Sequence, residues 1–128
     1  MDMSVLVEVL REMRVPVLRE ERLLTVAVAE TLTHAGIGFE REVVLKSADM
    51  PPQEKGARVD FLCEDIVLEL KLNAKKAVIA QAARYLAFPQ VAGLVLVANR
   101  TVDLSRLARI TGKPCVCVCP LRSWGVAL

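Results

Sequence analysis

The chain has 128 residues, the size of one globular domain, and 54% of them are hydrophobic. Its longest apolar stretch, 91–98, is eight residues long, whereas a helix needs roughly 20 to span a bilayer, so no membrane contact is expected. A net charge of +2 is too small to indicate nucleic-acid binding by itself, and any DNA contact must come from local basic clusters. Acidic residues occur throughout the N-terminus, unlike a signal peptide, and we expect a cytoplasmic protein.

The first two predicted elements are helices. Apolar residues at helical spacing predict a short helix over 4–13, which is stopped by Pro16. We interpret residues 1–19 as an extension that packs on the body of the domain or on a second subunit. A longer helix is predicted over 19–35, and Gly36 ends it.

The middle of the chain predicts strands. Alternating residues over 39–46 indicate one strand, and the segment 47–56, with its Pro and Gly residues, indicates a loop. Residues 58–72 contain two apolar runs around the polar pair Glu64-Asp65, which is typical of a β-hairpin.

A turn at Glu64-Asp65 sets the register of this hairpin, and it places Asp60 opposite Glu69. One face then carries only apolar side chains, those of Val59, Phe61, Cys63, Ile66, Leu68, Leu70 and Leu72. The other face carries Asp60, Glu69 and Lys71, with Leu62 and Val67. Directly opposed residues have Cβ atoms roughly 4.5–5.5 Å apart, where like charges destabilise a sheet, so the pattern indicates a cation between the two acids.

A divalent cation is the simplest group to lie between Asp60 and Glu69. Mg²⁺ binds one or two carboxylates together with waters and substrate phosphate oxygens, and such a site activates water for phosphodiester hydrolysis. Lys71 emerges on the same face, where it would stabilise charge on the phosphate or help to place the attacking water. The alternative is a solvated hairpin face with a Glu69–Lys71 ion pair worth about 0–1 kcal/mol.

Asp60, followed by Glu69-Leu70-Lys71 at the end of an apolar strand, resembles the D…ExK signature of the PD-(D/E)XK nuclease superfamily. Residues 36–43 are similar to the helix end and first strand of that fold. Residues 81–85, which read QAARY, are similar to the QxxxY helix of RecB-like nucleases. The resemblance covers about residues 20–120 in the same order, and one departure is that no Pro precedes the Asp.

The resemblance implies roles for the motif residues. Asp60 and Glu69 would bind Mg²⁺, with Mn²⁺ as a substitute, Leu70 would lend its backbone carbonyl, and Lys71 would assist catalysis.

The resemblance also implies supporting catalytic residues on the helices. Gln81 and Tyr85, one helical turn apart, would lie near the scissile phosphate. The alternative for this pair is a buried tyrosine with a hydrogen-bonded neighbour. A glutamate of the first helix often reaches the metal in this family, and we favour Glu30 here, with Glu21 as the alternative.

The remaining segments alternate helices and strands. Asn73 is predicted to cap a helix over 74–87, and the later elements are a buried strand over 91–98, a helix over 101–112, a strand over 115–119 and a tail over 121–128. The order α-β-β-β-α-β-α-β predicts a single α/β domain over 1–128, with a mixed central sheet flanked by helices. It is also the order of the restriction-endonuclease-like core that the resemblance implies.

Four cysteines have two interpretations. Cys115, Cys117 and Cys119 alternate along a predicted strand, so they should share one face and be poorly placed to pair with one another. We expect them and Cys63 to be small buried side chains. The alternative is an iron–sulfur cluster for electron transfer or sensing, because some RecB-like nucleases hold one with one upstream and three downstream cysteines.

Together these features predict a Mg²⁺-dependent deoxyribonuclease, an endonuclease on duplex or branched DNA. The basic residues expected to contact DNA are Lys46, Lys55, Arg58, Lys75, Lys76 and Arg84. A chain of this size has no room for a separate recognition domain. We therefore expect a homodimer, as in Holliday-junction resolvases, or a nuclease recruited by other DNA-processing proteins. The alternative is a catalytically inactive module with the same fold that binds DNA or protein.

Overall fold

The structure is a computed structural model that describes residues 1–15, 20–51 and 54–120, so the predicted tail lies outside it. The described residues form four α-helices: α1 (Met3–Arg11), α2 (Glu21–His34), α3 (Ala77–Leu86) and α4 (Ser105–Thr111). They also form five strands: β1 (Glu40–Leu45), β2 (Ala57–Cys63), β3 (Ile66–Lys71), β4 (Gly93–Ala98) and β5 (Cys115–Val118).

The strands form one open mixed sheet in the order β1-β2-β3-β4-β5. Strand β2 pairs antiparallel with β1 and with β3, whereas β4 pairs parallel with β3 and with β5. This confirms the predicted α/β class and mixed sheet. All of β4 is buried because helices cover both faces of the sheet, which explains its uninterrupted apolar sequence.

The two N-terminal helices share one face of the sheet, and α3 and α4 cover the other. The predicted order began with one helix, whereas the described residues begin with two, α1 and α2, so that order is wrong. The helix predicted over 4–13 packs on the body of the domain, which was one of its two expected placements. Leu6 and Leu10 of α1 are fully buried, and α1 contacts α2, β4 and β5. The helix belongs to the core because its apolar stripe closes the sheet face that α2 leaves open. No helix among the described residues has the length and apolar content to cross a membrane.

The hairpin register is as predicted. The turn lies at Glu64-Asp65, and the pairs along the ladder are Cys63 with Ile66, Leu62 with Val67, and Phe61 with Leu68.

The prediction of a continuous apolar face is wrong at Val59. Val59 packs on the α3 side of the sheet, whereas Phe61 packs on the α2 side. Regular alternation would put both on one face, so β2 must be kinked at the intervening Asp60. Glu42 of β1, which lies opposite Asp60 between two paired positions, has a left-handed φ of 52°. The regular strand pattern is therefore broken on both β1 and β2, where Glu42 lies opposite Asp60.

The start of α3 also differs from the prediction. Asn73 does not cap the helix, which begins at Ala77. Instead, Asn73 has a φ of 58°, its N–H donates to Asn99 Oδ1 at 2.8 Å, and Asn99 Nδ2 lies 3.4 Å from Asn73 Oδ1. Lys75 and Lys76 consequently precede the helix rather than occupying its first turn.

Gly56, at the start of β2, is expected to tolerate no side chain. Its φ is 74°, and a Cβ atom would collide with the Leu45 carbonyl oxygen. Gly56→Ala should lower the free energy of unfolding by about 2–4 kcal/mol, measured by urea titration. Gly36→Ala is the matched control, because Gly36 also has a φ of 74° but no atom within 4 Å of the added Cβ. It should cost only about 1–2 kcal/mol, and equal losses would contradict the steric explanation.

Candidate active site

The kink in β2 brings two carboxyl groups together between β2 and β3. The Asp60 N–H donates to Glu69 Oε1 at 3.2 Å, and the Leu70 N–H donates to Asp60 Oδ2 at 2.8 Å. The backbone ladder between these strands ends at the preceding pair, Phe61 and Leu68. Each acid therefore satisfies a backbone N–H of the opposite strand, which holds both carboxyl groups in place.

Glu69 is the one charged residue among the described residues that is buried, with an exposed fraction of 5%. Burial, and then the negative charge of the Asp60 carboxyl and a hydrogen bond to it, raise the pKa of Glu69 to about 8, whereas the bond from the Asp60 N–H lowers it. The Lys71 ammonium, two residues further along β3, acts in the opposite direction but more weakly. An ionised Glu69 would therefore be stabilised by a further positive charge.

Tyr85 of α3 contacts Glu69 from the helix side. Its hydroxyl oxygen lies 2.9 Å from the Arg58 carbonyl oxygen and 3.2 Å from Glu69 Oε2. A single hydroxyl hydrogen cannot be donated to both acceptors. While it is donated to Arg58, Glu69 must either carry a proton itself or face a cation. Burial and the Glu69 charge raise the pKa of Tyr85, whereas a hydrogen bond from Gln81 lowers it. The structure thus brings Tyr85 to Glu69 and Gln81 to Tyr85.

A groove of about 570 Å³ lies next to these residues. It is lined by Lys71, Lys75, Gln81 and Arg84. The Arg84 guanidinium donates to the Gly56 carbonyl at 2.8 Å and also lines a second groove, formed with the loop after β1. The two grooves therefore meet at Arg84.

The six basic residues predicted to contact DNA are all exposed, and within the described residues none forms an ion pair. Lys75 and Arg84 line the groove, and Lys76 directly precedes α3. Lys46 approaches Gly56, the residue whose carbonyl Arg84 binds. The other two, Lys55 and Arg58, lie on either side of Gly56 and Ala57 in the sequence. The cationic groups of all six residues are therefore available to solvent or to an anionic ligand.

The two candidate glutamates of α2 lie in different places. Glu21 Oε1 accepts the Leu72 N–H at 3.2 Å, directly after Lys71. Glu30 is nine residues further along the helix, roughly 13 Å away, and lines a groove between α1 and α2 with His34. The structure therefore places Glu21, the alternative, at the motif strand, and it does not bring Glu30 there.

Two groups near the site, Asn99 and the Arg58 carbonyl, were not predicted from the sequence. Asn99 directly follows β4, whose last residue lies beside Lys71 in the parallel register. A polar residue just after a buried parallel strand was the available signal, because ligand sites in α/β sheets collect at these strand ends. No sequence signal indicated the Arg58 carbonyl, which depends on how Tyr85 packs.

The cysteines do not assemble into one site. Cys63 packs on the α2 side of the sheet, whereas Cys115 and Cys117 pack on the opposite side. Cys63 and Cys115 are buried as predicted, but Cys117 and Cys119 are partly exposed. No group of three or more His, Cys, Asp or Glu residues within the described ranges is arranged to hold a metal ion. Asp60 and Glu69 are only two residues and so do not form a group of three. Mg²⁺ commonly binds only one or two carboxylates, which this pair could supply.

Comparison with known proteins gives no match to a family model, to a curated protein or to a solved structure. The function is therefore inferred from the geometry around Asp60, Glu69 and Lys71.

Proposed function

We propose that this protein is a metal-dependent nuclease that hydrolyses phosphodiester bonds of duplex or branched DNA. The observation that carries the proposal is the pair of carboxyl groups of Asp60 and Glu69, one of them buried, at a kink beside Lys71. Buried acids without a cationic partner are rare in proteins because burial opposes ionisation. We propose a restriction-endonuclease-like core for this chain, with α1 as a helix additional to the expected order, and the three antiparallel strands followed by parallel crossovers support it.

The residues fit a Mg²⁺ ion, for which Mn²⁺ would substitute. Asp60 and Glu69 would supply carboxylate oxygens, the hard ligands that Mg²⁺ prefers, and Leu70 would add its backbone carbonyl. The ion would supply positive charge to the phosphate oxygens and lower the pKa of the attacking water.

A few residues around the proposed metal site would bind the substrate or keep Asp60 and Glu69 in place. Lys71 would stabilise the negative charge that develops on the phosphate during attack. Tyr85 contacts Glu69 from the α3 side, Gln81 bonds Tyr85, and Glu21 accepts the backbone N–H just after Lys71. Flanking phosphates would bind Lys75 and Arg84 in the groove.

Composition and surface favour a particular substrate and assembly. With 4% aromatic residues, the chain lacks the stacking platform typical of single-strand binders, which favours duplex or branched DNA. Val5 on α1 and Leu23 and Val26 on α2 are exposed apolar residues. We propose that this surface serves a homodimer or recruitment by another DNA-processing protein. A cytoplasmic location agrees with four cysteines that are not joined in disulfides.

Cleavage of supercoiled, linear and four-way-junction DNA in Mg²⁺ or Mn²⁺ tests the proposal. The wild type should cut at least one of these DNAs, and chelation of the metal should stop it. Asp60→Ala, Glu69→Ala and Lys71→Ala should each lose at least about 10²-fold in rate. Glu30→Ala is the control and should cut normally, since Glu30 lies away from the motif strand. Cutting that persists in all three motif variants would overturn the assignment, and binding of DNA without cutting by the wild type would favour the inactive module.

A further inference from the structure

Two cysteine sulfurs meet where β5 ends. The Sγ atoms of Cys117 and Cys119 are 4.0 Å apart. The two sulfurs are closer than we expected for cysteines predicted to be poorly placed to pair, although no disulfide joins them. Cys117 lies in β5, and Cys119 directly follows Val118, the last residue of that strand.

The two thiols lie close to the loop that follows β4. Cys117 Sγ lies 3.7 Å from the Arg100 carbonyl oxygen, to which it donates, and Cys119 Sγ lies 3.7 Å from Thr101 Oγ1. Both cysteines are partly exposed, whereas Cys63 and Cys115 are buried. A small reagent therefore has access to this pair and not to the other two thiols.

We propose that Cys117 and Cys119 are a reversible dithiol site that forms an intramolecular disulfide by exchange with a low-molecular-weight disulfide. The Cys119 thiolate attacks one sulfur of the reagent, whose S–S bond breaks, and the displaced thiolate takes up a proton and leaves as a thiol. Cys117 then loses its proton and attacks the Cys119 sulfur of the mixed disulfide, which releases the second thiol. Two cysteine thiols are oxidised to one disulfide, and the reagent is reduced to two thiols.

The environment favours this order of attack. Burial raises the pKa of the Cys117 thiol to about 11. Before the mixed disulfide exists, Cys117 therefore forms the nucleophilic thiolate less readily than a cysteine with an ordinary pKa does. Once it exists, the short distance between the sulfurs makes the second attack intramolecular.

The product should be easily reduced. One intervening residue leaves little freedom to reach the preferred geometry. Strained and accessible disulfides have high reduction potentials and are the labile ones. Such a bond suits the transient or sensing disulfides that occur in cytosolic proteins.

The dithiol site is connected to the candidate active site through one loop. Cys117 bonds the carbonyl of Arg100, and the adjacent Asn99 accepts the Asn73 N–H, two residues after Lys71. Disulfide formation removes the S–H donor from Arg100. The existence of the dithiol site does not depend on the proposed nuclease function.

Treatment of the full chain with glutathione disulfide, followed by intact-mass spectrometry and alkylation in denaturant, tests the proposal. The wild type should lose the mass of two hydrogen atoms, and its alkylatable thiols should fall from four to two, because the chain has four cysteines. Dithiothreitol should restore all of them.

Variants locate the bond. Cys117→Ser should stop at a mixed disulfide, and Cys119→Ser should not form the internal bond, whereas Cys63→Ser and Cys115→Ser should form it as the wild type does. Circular dichroism establishes that each variant is folded, and Cys117→Ala and Cys119→Ala replace any serine variant that is not. A wild type that stays reduced, stops at a mixed disulfide or forms disulfide-linked dimers would overturn the proposal. So would an internal disulfide in Cys119→Ser or Cys119→Ala.

Discussion

Exchange of Glu69 for Gln is expected to abolish DNA cleavage and, at the same time, to make the protein more stable. Activity should fall at least about 10²–10³-fold, because an amide cannot supply the anionic oxygen that a metal site needs. Stability at pH 8 should rise by about 1–3 kcal/mol, because a neutral side chain removes the cost of a buried charge. Gln also suits the hydrogen bonds here. Its oxygen accepts the Asp60 N–H, and its amide donates to the Tyr85 hydroxyl, which is left to donate to Arg58.

The two effects are measured by a cleavage assay and by thermal unfolding of the same preparations. A gain of about 1–3 kcal/mol corresponds to several degrees in Tm for a domain of this size. Glu30→Gln is the matched control, since it makes the same chemical change at an exposed site, and it should alter neither quantity. A Glu69→Gln protein that cuts DNA normally would show that Glu69 has no catalytic role. A less stable variant would show that the ionised carboxylate is favourable where it lies.

The stability of the folded chain is expected to depend on pH and on divalent metal through Glu69. In the absence of divalent ions, stability should decrease as the pH rises from 4.5, the ordinary pKa of a glutamate, to about 8, the pKa of Glu69 in the folded chain. Over this interval the folded chain holds a proton that the unfolded chain has lost, so folding is coupled to proton uptake. The stabilising contribution is fully present below pH 4.5, is lost by about pH 8, and changes no further above it.

Magnesium should reverse this loss of stability. Because the ion and the proton compete for Glu69, apparent Mg²⁺ affinity should be roughly 10²-fold weaker at pH 6 than at pH 8. The rise in Tm on adding Mg²⁺ should accordingly be larger at pH 8. Thermal unfolding of the wild type and of Glu69→Gln across this range isolates the contribution of Glu69, because all other titrating groups are common to both. A difference between them that is independent of pH, or a Mg²⁺ effect that is equal at both pH values, would contradict the expectation.

The local features of this protein could be predicted from its sequence. The polar pair Glu64-Asp65 between two apolar runs was sufficient to place the hairpin turn, and the turn then set the register that brings Asp60 beside Glu69. The apolar run over 91–98 similarly predicted a buried strand, and β4 lies within it. These features depend on neighbouring residues and on a two-residue repeat, both of which can be read from the chain directly.

Contacts between residues distant in the sequence depend on how the helices and strands pack. The kink at Asp60 turned Val59 away from Phe61, and the packing of α2 brought Glu21, not Glu30, to a backbone N–H 51 residues away. The 4.0 Å distance between the sulfurs of Cys117 and Cys119 is likewise seen only in the folded chain. Sequence periodicity specifies which face of an element is apolar. It does not specify how far one element slides along another or where a strand is interrupted, because packing against the rest of the chain decides these.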